Sequence, residues 1–103
     1  MLFVRRVSGS SMLPSLCPGS LIVAKNIKLM ERYIYKLGDV ILFEHNGIQK
    51  LKRIANIRTI DGSTKLYVVG DNAINSTDSR HFGWITTTAV KGKLIWPIKA
   101  SKA

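Results

Sequence analysis

An all-β fold is what this chain of 103 residues predicts: a compact, partly closed β-barrel of short, mostly antiparallel strands. Three observations carry that expectation. Short β-branched apolar runs recur along the chain, Asn46-Gly47 sits between two of them, and Gly, Pro and Asx residues punctuate the remainder. The first strand is expected over residues 2–8 and the second over 20–25, separated by a loop with Pro14 and Cys17-Pro18-Gly19. Only residues 27–35 have a spacing that would suit a helical turn. Strands at 39–45 and 48–58 flank Asn46-Gly47, whose residues tolerate the positive φ of a two-residue hairpin turn. Asp61-Gly62 turns the chain again into a strand at 64–69. A polar stretch from Gly70 to Gly83 follows, and strands near 84–90 and 92–98 complete the set. There is no repeat, linker or low-complexity segment, so residues 1–103 are expected to form one domain with its core over 5–98.

Composition narrows the function. Apolar residues make up 46% and charged residues 21%, a globular balance. The single cysteine, Cys17, forms no intrachain disulfide and no cysteine-based zinc cage, so metal and cofactor are both expected to be none. The apolar run Val40–Phe43 is far below the roughly 20 residues of a membrane span. Met1–Val4 meets Arg5-Arg6 at once, which is not the order of a secretory leader. A soluble cytoplasmic location is therefore expected, with peripheral contact to an anionic membrane surface as the alternative. Sixteen Lys and Arg against six Asp and Glu give a net charge of +10, and the cations are scattered. Nucleic acid is not expected as a partner, because Phe43, Tyr67 and Trp96 fall in apolar strands where they read as packing, not as base-stacking platforms.

Two loops are unlike plain connections. Ser8–Leu16 combines hydroxyls with Met12, Leu13 and Leu16, and Gly70–Gly83 holds two of the six carboxylates with Arg80 and His81. A Ser-His-Asp triad is weakly supported: His45 adjoins a turn, and no spacing ties a carboxylate to His81. A lysine base fits better. Period two puts Ile48, Lys50, Lys52 and Ile54 on one face of a strand. A lysine flanked there by isoleucines would be desolvated and lowered from about 10.4. Lys50 and Lys52 share that face, and periodicity does not choose between them.

Four segments together carry a resemblance. They are Ser-Gly-Ser-Ser-Met-Leu-Pro-Ser-Leu (8–16), Gly-Asp-Val-Ile-Leu-Phe (38–43), Leu-Lys-Arg-Ile (51–54) and Gly-Asp-Asn-x3-Ser-x-Asp-Ser-Arg-x2-Gly (70–83). In this order they resemble the type I signal peptidase family over residues 5–98, and are most similar to its soluble branch of nickel-type superoxide dismutase maturation proteases. The resemblance implies a signal-peptidase catalytic core and a serine endopeptidase that removes an N-terminal propeptide or signal peptide from a precursor protein. The nickel superoxide dismutase precursor is the implied substrate. A general secretory signal peptidase working with a membrane partner is the alternative.

Carried over by position, the resemblance makes Ser11 the nucleophile and selects Lys52 over Lys50 as general base. Ser76 would orient the lysine, and Met12 would line the substrate cleft. Ser11 through its N–H, with Ser10, would form the oxyanion hole. Arg53 with Asp71, and Asp78 with Arg80, would be bracing ion pairs. The chain departs from the family at Gly9, where many members place a serine whose hydroxyl joins the oxyanion hole. Only 16 residues separate Arg53 from Gly70, too few for the extra domain of larger members. Self-cleaving repressor domains use a similar dyad, but they cut Ala-Gly or Cys-Gly steps, which this chain lacks.

Overall fold

The computed structural model describes residues 1–27 and 34–97. Seven strands form: β1 (Leu2–Arg6), β2 (Leu21–Asn26), β3 (Val40–His45), β4 (Ile48–Ile60), β5 (Ser63–Val69), β6 (Ile85–Thr86) and β7 (Val90–Trp96). A one-turn α-helix, α1 (Ser79–Phe82), lies between β5 and β6, with short 3-10 turns at Ala73–Asn75 and Thr87–Ala89. The helical turn considered for 27–35 falls largely on residues 28–33, outside the described residues.

The strands join one sheet in the order β1-β2-β7-β3-β4-β5-β6, every pairing antiparallel. The all-β class is as expected, but the sheet does not close into a barrel. Its edges, β1 and β6, each pair with one neighbour among the described residues. β6 has only two ladder positions, Lys65↔Thr86 and Leu66↔Ile85, too short to template another strand.

The Asn46-Gly47 turn has φ of 51° and 77°, so both residues take the left-handed conformation that the hairpin demands. Asp61-Gly62 repeats this between β4 and β5. β4 is long enough to serve two partners. It pairs with β3 from Ile48 to Arg53 and with β5 from Arg53 to Ile60, with a bulge near Ala55 just after the change of partner. Among the described residues, the edge of residues 48–52 facing away from β3 therefore pairs with no strand.

The apolar run Val40–Phe43 is buried on both faces. Ile41 and Phe43 join Ile54, Leu66, Val68, Ile85 and Val90 in one cluster. Val40 packs with Val7, Met12, Leu16 and Ile22 in the other. The second cluster accounts for two of the apolar residues of the Ser8–Leu16 loop, Met12 and Leu16. Met12 and Leu16 are each only 2% exposed, so they anchor that loop in the core.

Candidate active site

The β3–β4 register places Lys52 opposite Ile41 and Lys50 opposite Phe43, so both lysines project on the face of the larger apolar cluster. Lys52 is buried, 4% exposed, and its Nζ donates to Ser11 Oγ at 2.7 Å. Desolvation lowers its pKa, and the charge on Lys50 lowers it further. Asp78 opposes this and Arg80 adds to it more weakly. Burial is the largest of these effects, and it disfavours the ammonium form.

Ser11 is held from the other long loop. Asn72 donates its backbone N–H to the Ser11 carbonyl at 2.7 Å and its Nδ2 to the Ser10 carbonyl at 3.1 Å. Leu13 N–H also donates to the Ser10 carbonyl. The Ser11 N–H donates no hydrogen bond within the described residues. Gly9, where the resemblance would place a serine, has φ of 76°, a left-handed turn that strains any residue with a Cβ.

At Gly70 the two loops come into close contact. A Cβ there would lie 2.2 Å from Ser76 Oγ and 2.6 Å from the Ser11 carbonyl oxygen. Only a bare backbone fits. Asn72 and Gly70 thus position the site although neither was picked out from sequence as a site residue. Their signal was the Gly-Asp-Asn triplet itself, whose partners lie about sixty residues away in the chain and are invisible to local pattern.

Asp78, fully buried, is the hub of the second loop. Its Oδ2 accepts from Gly70 N–H at 2.8 Å, Ser76 Oγ at 2.5 Å and Arg80 Nη2, while Oδ1 accepts from Arg80 N and Nε. Burial alone would raise its pKa. The bonds from Arg80, Ser76 and the two backbone N–H groups outweigh burial and hold the carboxylate well below its usual range. Ser76 Oγ–H therefore donates its hydrogen bond to Asp78 Oδ2, and no Ser76–Lys52 hydrogen bond is present among the described residues. Arg53 and Asp71 form the other brace, a bidentate pair with both N–O distances at 2.8 Å, and Arg53 also donates to the Gly38 carbonyl.

Neither histidine is hydrogen-bonded to Ser11. His81 Nδ1 accepts from Asp78 N–H in a capping box at the start of α1, and His45 stacks on Phe82 with ring centroids 4.2 Å apart. Ser10, Ser11, Met12, Leu51 and Lys52 line one cleft of about 480 Å³. A smaller hollow of about 340 Å³, lined by Asp39, Arg53 and Lys93, does not include Ser11 or Lys52.

A hydroxyl in contact with a desolvated amine, beside a backbone N–H that donates to none of the described residues and an open cleft, is an arrangement suited to acyl transfer. Residues 58–99 match the family model described as signal peptidase, peptidase S26. The match supports a peptidase of signal-peptidase type, with Asp71, Ser76, Asp78 and Arg80 inside the matched stretch and Ser11, Lys52 and Arg53 outside it. No curated protein matches the chain. No helix among the described residues is long and apolar enough to cross a membrane.

Proposed function

We propose that the protein is a serine endopeptidase working through a Ser11/Lys52 dyad, and that it removes an N-terminal propeptide or signal peptide from a precursor protein. The observation that carries this is the 2.7 Å contact between Lys52 Nζ and Ser11 Oγ at a buried lysine. In the neutral form, Lys52 accepts the Ser11 proton as Oγ attacks the peptide carbonyl, then returns it to the leaving amine. Water repeats the cycle on the acyl-enzyme, with Lys52 again the base. The uncommitted Ser11 N–H, with Ser10 beside it, faces the developing oxyanion. Ser76 acts through Asp78, holding the second loop against Lys52. Met12 forms the cleft floor beside Ser11. The unpaired edge of residues 48–52 receives the substrate as an added strand, so that alternate side chains enter the cleft.

Within this reading, the similarity of the four motifs favours the nickel superoxide dismutase precursor as substrate, with nickel belonging to that substrate. The signal peptidase description of the matching family favours general signal-peptide removal as the second reading. Mass spectrometry of products from a nickel superoxide dismutase precursor and a secretory preprotein separates them, with Ser11→Ala as control. A single Ser11-dependent cut in the first alone is expected. Cleavage of the secretory precursor after a small residue would favour the second reading, and no cut in either would count against the proposal.

A further inference from the structure

The cleft beside Ser11 carries charge of one sign. Arg5, Arg6 and Lys50 line it together with Lys52, and among the described residues no Asp or Glu does. Three of the described carboxylates are committed elsewhere: Asp39 to Lys93, Asp71 to Arg53 and Asp78 to Arg80. Asp61 is in the β4–β5 turn, and Glu44 on β3, although opposite the cleft-lining Gln49 on β4, does not itself line the cleft. Arg5, Arg6 and Lys50 take part in no ion pair among the described residues. The two guanidinium groups are also held in place. Arg6 donates to the Gly19 carbonyl, and Arg5 donates to the Val4 carbonyl while lying 4.8 Å from the Phe3 ring centroid.

We infer that this cleft selects substrate segments with carboxylate side chains a few residues from the scissile bond and rejects those with lysine or arginine there. The inference deepens the peptidase reading and rests on it. Successive same-face residues on a strand are about 6.6 Å apart, so a substrate strand laid along residues 48–52 presents every second side chain to the cleft. Position matters. A carboxylate next to the scissile bond would stabilise ammonium at Lys52 and hinder its action as base. One placed farther along meets Arg5, Arg6 or Lys50 instead. The expected pattern is discrimination against acid beside the cut and in favour of acid beyond it. Arginine pairs with carboxylate in a planar fork, and two partly fixed arginines lose less freedom on binding than two free lysines would.

The test uses short Ala/Ser peptides in which one position at a time is Glu, Gln or Lys. Binding is read by fluorescence anisotropy with Ser11→Ala, and cleavage is read with the unaltered protein. At low salt, Glu at the favoured position should bind about 5- to 20-fold more tightly than Lys, and the difference should shrink as salt rises. The double variant R5E/R6E should invert the preference, and R5Q/R6Q should flatten it if the reversal impairs folding. Equal binding of Glu and Lys peptides at every position would overturn the inference. So would a preference unchanged in both double variants, or single-stranded DNA binding as tightly as the acidic peptides. Failure of the peptidase reading has a different signature: no Ser11-dependent cleavage of any peptide, whatever the binding shows.

Discussion

Lys52 owes its character to neighbours that are not next to it in sequence. Its flanking residues, Leu51 and Arg53, project to the other face of β4, while Ile41 and Phe43 on β3 surround its own face. Lys52→Ala and Ser11→Ala should each abolish cleavage in the mass-spectrometric assay and keep a folded circular-dichroism spectrum. The double variant should lose little more, because the two groups act as one unit. The pH profile gives a sharper check. Only neutral Lys52 serves as base, so activity should rise with pH along a limb governed by Lys52, below the ordinary lysine value of 10.5. Lys50 contributes to that depression through like-charge repulsion. Lys50→Gln should therefore move the limb to higher pH in kcat profiles without removing activity. A profile unchanged by Lys50→Gln would mean that the charge on Lys50 does not tune the base. Lys50 and Lys52 were equivalent by periodicity, and a resemblance was needed to separate them. In the structure, only Lys52 reaches Ser11, because the Ser8–Leu16 loop is anchored by Met12 and Leu16 and braced by Asn72.

At the scale of elements, the Gly70–Gly83 segment is a clamp on the Ser11 loop. Gly70→Ala forces a Cβ into Ser76 and the Ser11 backbone, an overpacking cost of about 1–3 kcal/mol. It should lower both the melting temperature and kcat. Asn72→Ala removes one side-chain bond to Ser10, worth about 1 kcal/mol, and keeps the backbone bond to Ser11. Its effect should fall on kcat more than on KM, since it loosens the nucleophile and leaves the cleft intact. Asp78→Asn should cost about 2–3 kcal/mol in urea unfolding, less than a fully buried pair because Arg80 is 38% exposed. Asp78 has a folded pKa below its unfolded value, so its stabilisation is present above about pH 4 and is lost as pH falls through the folded value. The variant should accordingly show a weaker loss of stability in acid than the unaltered protein. The hairpins on either side of β4 were legible from Asn46-Gly47 and Asp61-Gly62, because a turn needing positive φ restricts its residue types locally. The clamp was legible only as an unusual loop, since its partners are remote in sequence.

For the molecule as a whole, two properties matter: an open sheet and an excess of positive charge. The +10 charge favours contact with anionic membrane surfaces, and we propose this as a peripheral partner surface. Co-sedimentation with phosphatidylserine vesicles should be seen at low salt and should fall away at high salt. Retention that is unaffected by salt would argue against an electrostatic contact. The sequence alone determined the all-β class, six strands to within about three residues at either end, and the residue types of the candidate dyad, because strand period and turn chemistry are properties of near neighbours. The strand expected near 84–90 is only the two residues of β6, with Thr87–Ala89 in a 3-10 turn, and the sheet is open where a partly closed barrel was expected. Tertiary structure likewise decided that Ser76 bonds to Asp78, that Gly70 must be bare and that the outer edge of residues 48–52 is open. Ser76 and Asp78 are only two residues apart, but the Gly70–Ser11 approach and the open edge depend on where segments far apart in the chain are placed, and no local pattern encodes that placement.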